Sequence, residues 1–143
     1  MSTSVEPWQP ILDKMVKAQA GYPGPAWTWD GRLKCVSSTF PSEMIASVRQ
    51  AFAELFPHEW TVESFASAPE PARVRCGNLR AGQLLLTGDE VATLVPFAMW
   101  WPWGDGKMVS LRVGVANSER TKELYPLVRA SFGIMIPSAP EPA

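Results

Sequence analysis

Seven tryptophans dominate what this chain of 143 residues could do chemically. Trp27, Trp29, Trp100, Trp101 and Trp103 stand close to Lys or Arg in two segments that read as hairpins. An indole offers a broad apolar face, a negative quadrupole for a cation and a single N–H donor. Rings set beside guanidinium groups therefore point to recognition rather than to bond-making.

The residues for bond-making are sparse. His58 is the only histidine, so a serine or cysteine triad would need it, and no serine or cysteine stands in a Gly-x-Ser-x-Gly setting. In Pro57-His58-Glu59-Trp60 it reads as a surface turn residue. Glu59 and Glu63 could move a proton with it, which keeps a small enzyme acting on an amide or aromatic substrate as the runner-up. Asp89, Glu90 and Asp105 are explained by the turns they occupy. The chain has neither a Cys-x-x-Cys nor a His-x-x-x-His pair, and Gly104-Asp105-Gly106-Lys107 joins two strands without Walker spacing. No metal and no cofactor are expected.

Thirteen basic against fourteen acidic residues leave a net charge of −1, which disfavours nucleic acid as a partner. Arg73, Arg75 and Arg80 form the one acid-free basic cluster; it reads as a solvated strand edge, with an anionic ligand as the other reading. The N-terminus lacks a basic stretch followed by an apolar one, and the longest apolar run, Leu94 to Trp103, is broken by Pro96 and Pro102. That run falls well short of the roughly 20 residues of a bilayer helix. A cytoplasmic protein without membrane insertion is expected. Trp100-Trp101-Pro102-Trp103 could dip into a membrane interface, but only Lys107 adds charge there. Cys35 and Cys76 are isolated and read as two buried free thiols.

The elements that must position these groups follow from spacing. Pro7 to Gln19 reads as a helix with Trp8, Ile11, Leu12 and Met15 inward, ended by Gly21. Ala26 to Val36 reads as a hairpin turning on Asp30-Gly31, which would align Trp29 with Arg32 and Trp27 with Lys34. A helix opened by Pro41 carries an apolar stripe from Met44 to Phe56. Trp60 to Phe65, Ala72 to Cys76 and Gln83 to Thr87 read as strands, with Ala66 to Pro71 a linker by composition. Val91 to Trp103 and Lys107 to Ala116 form a long hairpin around Gly104-Asp105-Gly106, with Gly106 left-handed. A last helix starts near Asn117 or Ser118 and ends by Gly133, its start delayed or its axis kinked by Pro126.

In the long hairpin a three-residue loop pairs Trp103 with Lys107, Trp101 with Val109, Met99 with Leu111, Phe97 with Val113 and Val95 with Val115. This register makes one face wholly apolar. A shift by one residue would oppose Trp101 to Ser110 and Ala98 to Val113. The first register sets Trp100 on the opposite face, across from Ser110 and diagonal to Met108 and Arg112.

The predicted architecture is a single α+β domain over residues 8–136, between disordered ends at 1–7 and 137–143. Its antiparallel sheet has about five to seven strands, is dominated by the hairpin 91–116, and carries its helices mainly on one face. The predicted function is a non-catalytic binding module that accepts a peptide or protein segment on an aromatic, weakly basic sheet surface or groove. Its site would draw on Trp100, Trp103, Lys107, Met108, Ser110 and Arg112, with Trp27, Trp29, Arg73 and Arg75 as further contributors. An immunity or adaptor protein covering a partner's active site, and a homodimer, fit the same features.

Overall fold

The computed structural model describes residues 7–120 and 122–134. Apart from Pro7, the ends expected to be disordered lie outside the described residues.

The domain is α+β, as composition and element order predict. Strands β1 (Thr28–Asp30), β2 (Cys35–Pro41), β3 (His58–Trp60), β4 (Leu84–Thr87), β5 (Val95–Pro102) and β6 (Met108–Ala116) form one sheet. Every pairing is antiparallel, in the order β1-β2-β6-β5-β4-β3. Helices α1 (Gln9–Gly21), α2 (Ile45–Phe52) and α4 (Leu124–Ser131) cover one face, and α3 (Glu70–Cys76) lies on the other.

The helix-rich face holds the larger core. Met15 and Leu12 of α1, Val48 and Phe52 of α2, and Leu124 and Val128 of α4 pack over Val36, Phe40, Trp100, Leu111 and Val113. Two turns of helix as short as α2 are marginal alone, so this burial is what holds the element in place. Pro126 lies within the first turn of α4, where its missing N–H costs no helical bond. The helix accordingly starts at Leu124, after a 3-10 turn over Ser118–Arg120.

Several local expectations are corrected. The segment 72–76 is helical rather than extended. Glu70 and Pro71 open α3, since proline suits a first turn and an acid suits the positive end, and Gly77 stops it at φ 85°. The supposed linker is part of the fold, because Ala68 and Ala72 are buried against Leu85, Phe97 and Met99. β3 ends at Trp60, where the Ser64 hydroxyl accepts the Thr61 N–H at 2.9 Å and turns the chain. Asp30-Gly31 does not make a two-residue turn. The Asp30 carboxylate accepts the N–H groups of Arg32 and Leu33, both at 3.0 Å, and Lys34 takes φ 56° to close a longer loop. Trp29 thus pairs with Val36, not Arg32.

The long hairpin adopts the register one residue away from the predicted one: Trp101 opposes Ser110, Trp100 opposes Leu111 and Ala98 opposes Val113. The prediction sought a single apolar face, but Val95 through Trp100 are buried without interruption, so large side chains are required on both faces. Gly106 is left-handed as expected, at φ 71°, while the Asp105 carboxylate accepts the Lys107 N–H at 2.9 Å. The loop is longer than expected, with Trp103 N–H donating to the Met108 carbonyl at 2.8 Å. Gly114 opposes Phe97, and a Cβ there would sit 3.1 Å from Cys35 Cβ and 3.2 Å from the Phe97 ring. Glycine makes that crossing possible.

Candidate functional site

The register decides which of the predicted site residues meet. Directly opposed residues of antiparallel strands share a face, and alternate residues along a strand share it too. Trp101, Met108, Ser110 and Arg112 therefore lie on the α3 face, whereas Trp100 lies among the helices. The residue singled out on the open surface is in fact core: Trp100 is 4% exposed and meets the Phe40 ring at 5.4 Å. Its neighbour Trp101 takes the place predicted for it.

α3 covers only part of its face. Around Cys35, Leu85, Phe97 and Ala116 the sheet is sealed by Ala68, Ala72 and Leu79. Toward the other end Thr39, Trp101, Met108, Ser110 and Arg112 are half-buried, and Trp103 is 47% exposed. The Arg112 guanidinium stands 5.0 Å over the Trp101 ring, with its Nε 3.8 Å from the Asp30 carboxylate. Trp103 Nε1 donates to the Ser110 hydroxyl at 2.9 Å, and the Thr39 and Ser110 hydroxyls are 3.4 Å apart. The shielded donors Trp101 Nε1 and Arg112 Nε find no hydrogen-bond acceptor among the described residues. Beside this patch β1 covers only Cys35 to Ser37 of β2, so the outer edge of β2 from Ser38 onward has no strand partner among the described residues.

The remaining predicted residues lie elsewhere. Trp27 is buried between Tyr22 and Phe132, with ring centroids at 4.7 Å from each. Trp29 is half-buried on the helix-rich side, under Arg129 at 4.8 Å. Arg73 and Arg75 are helical, and both are engaged. Arg73 Nε donates to the Ala68 carbonyl at 2.9 Å. Arg75 donates to the carbonyls of Leu33 and Val115 and lies 5.2 Å over Phe97. It pins α3 to the β1–β2 loop. Lys107 is exposed in the hairpin loop at the margin of the open patch.

A second concavity, which spacing alone did not reveal, lies where α2 ends against the sheet. It is a cavity of about 370 Å³ with Trp100, Leu86 and Leu111 in its wall and Arg49, Gln50 and Phe56 around it. Arg49 lies 5.3 Å over the Trp100 ring and pairs with Glu59. The sequence signal was available: Arg49 directly follows Val48 of the apolar stripe, on the margin of the face that α2 buries.

His58 meets Asp89, at 2.9 Å, rather than Glu59 or Glu63. Glu59 is held by Arg49, and Glu63 accepts the Thr61 hydroxyl at 3.0 Å. Both thiols are free, Cys35 buried and Cys76 half-buried. Burial, reinforced by the Asp30 charge and opposed by Arg112 and Arg75, pushes the Cys35 thiol up to about 12. Burial also raises Cys76, against a backbone hydrogen bond with Asn78. Neither sulfur is an activated nucleophile. Among the described residues no three His, Cys, Asp or Glu side chains converge as metal ligands, and no helix is long and apolar enough to cross a membrane.

No protein-family model, curated protein or solved structure matches this chain.

Proposed function

We propose that the protein is a non-catalytic binding module that accepts a peptide or protein segment on the open half of its α3 face. One observation carries this reading. Trp101, Trp103, Met108, Ser110 and Arg112 gather on a stretch of sheet that no helix covers among the described residues, next to a strand edge that has no strand partner among them. Indole, thioether and guanidinium are the groups enriched where proteins meet partners. A sheet surface beside an unpaired edge suits an extended segment, which can hydrogen-bond along β2 while setting apolar side chains on Trp101 and Trp103. Arg112, together with Lys107 at the margin, favours a segment bearing a carboxylate. Free thiols suit a reducing compartment such as the cytoplasm.

The test is selection of peptides from a displayed random library on the wild-type protein, with each selected peptide measured against Trp103→Ala and Arg112→Gln. Trp103 is half-exposed, so its replacement leaves the fold intact. Each variant is expected to weaken the selected peptides about 30-fold, the equivalent of 2 kcal/mol at a central contact. Peptides that bind both variants as tightly as wild type would place recognition elsewhere on the molecule.

A further inference from the structure

The cleft at the end of α2 is independent of the open patch, since it lies on the other side of the sheet. Its lining mixes apolar side chains with Gln50, and among the residues lining it Arg49 alone carries a charge. We propose that this cleft binds a small organic acid, with one aromatic ring or branched aliphatic body against Trp100, Leu86 and Leu111 and its carboxylate on Arg49. A volume of about 370 Å³ stands at the low end of the roughly 300–1,000 Å³ of small-molecule sites. It admits a single ring with a short acid arm.

A lone cation in the lining selects an acid as the ligand. α2 ends at this cleft, and the C-terminal end of a helix carries negative partial charge that repels an anion. Arg49 must supply the attraction by itself. It is available to do so, because the Arg49 and Glu59 side chains remain 40% and 42% exposed and such pairs are weak. A guanidinium has five donors in a planar fork, so it can stay stacked on Trp100 and still present an edge to an incoming carboxylate. Gln50 also lines the cavity, and its side-chain amide is a further donor within the same turn of α2.

Phenylacetate and its uncharged twin phenylacetamide are the probes, titrated into the full chain with amide and side-chain N–H signals followed by nuclear magnetic resonance. Saturable shifts are expected at the Trp100 indole and Arg49 Nε with phenylacetate. Arg49→Gln is expected to weaken phenylacetate about tenfold or more while leaving the weaker binding of phenylacetamide unchanged. Ala53→Phe, at an exposed position on the cavity wall, fills the mouth and is expected to abolish both. Unchanged signal dispersion in each variant establishes that it is folded. The proposal is overturned by the absence of saturation at Trp100 up to about 10 mM, far weaker than a working site. It is equally overturned if Arg49→Gln binds phenylacetate as wild type does, or if Ala53→Phe leaves binding intact.

Discussion

Trp100 and Trp101 are neighbours on β5, and each lies under a guanidinium, at 5.3 Å for Arg49 and 5.0 Å for Arg112. Their surroundings differ. Trp100 belongs to the helix-rich core, with Phe40 at its edge and α2 alongside, and its arginine reaches it from a helix. Trp101 is half-buried at the margin of the smaller core on the α3 face, and its arginine comes from the adjoining strand. The pair teaches that an arginine over an indole does not by itself mark a site. What surrounds the pair decides whether the ring stabilises the fold or meets a partner.

The largest effect should come from cutting the buried ring. Trp100→Ala is expected to cost about 3–5 kcal/mol, the range for deleting a large buried aromatic side chain. Trp101→Ala should cost about 1–2 kcal/mol, nearer to a partly exposed position. Urea unfolding of the two variants measures the difference. Equal losses would make the α3 face a second complete core and break the comparison.

The covered half of the α3 face gives the next effect. Gly114→Val adds atoms where a Cβ already meets Cys35 Cβ at 3.1 Å and the Phe97 ring at 3.2 Å. Overpacking of this kind costs about 1–3 kcal/mol. A neutral or stabilising result in thermal unfolding would mean that α3 yields readily, and that the covered and open halves differ less than the packing implies.

How much of this was legible beforehand depends on what each segment could reveal. Of the apolar stripe read from Met44 to Phe56, the part from Val48 onward is buried as expected while Ile45 is exposed, and this stretch and the turn at Gly106 were readable because their periodicity and backbone needs are local. The register of β5 on β6 was not. It rests on α3 covering the second face, and the residues of α3 read as a strand because Val74 and Cys76 have strand-like side chains, while the decisive Pro71 stands at its start. With one face assumed open, alternation pointed to the wrong pairing, and Trp100 and Trp101 exchanged roles. Met108, Ser110 and Arg112 still come together because the even positions of β6 share one face in either register, and Trp103 joins them only in the register that the sheet adopts.

Dryness of the covered half can be read through its thiol. In the unfolded chain Cys35 ionises near its ordinary value of 9.0, and in the fold at about 12. Between those values the unfolded chain releases a proton that the fold retains, so this contribution to stability is complete below pH 9 and is lost as pH rises toward 12. The slope from one group is at most about 1.4 kcal/mol per pH unit. Tyr22 and Cys76, both raised by burial, act in the same direction. Stability measured by urea titration from pH 8.5 upward should fall, and Cys35→Ala should flatten the fall by one proton. An unchanged slope in Cys35→Ala would mean that water reaches this sulfur and that the α3 cover is loose.

The smallest effect on stability bears most on whether the Trp100 side can also bind. Glu59→Gln removes the partner of Arg49 while leaving its stacking on Trp100. Because both side chains remain near 40% exposed, the pair contributes at most about 1 kcal/mol, and unfolding should shift by no more than that. In the cleft the same change removes a carboxylate that competes with a bound acid for one guanidinium. Phenylacetate should therefore bind more tightly, by up to about fivefold, the equivalent of 1 kcal/mol. A stability loss well above that figure would identify Glu59 as a clamp that holds Arg49 closed over Trp100, and the buried ring would then belong to the core alone. Tighter binding with unchanged stability would show the reverse: Arg49 can leave Glu59 for a small acid while the Trp100 side of the core stays intact.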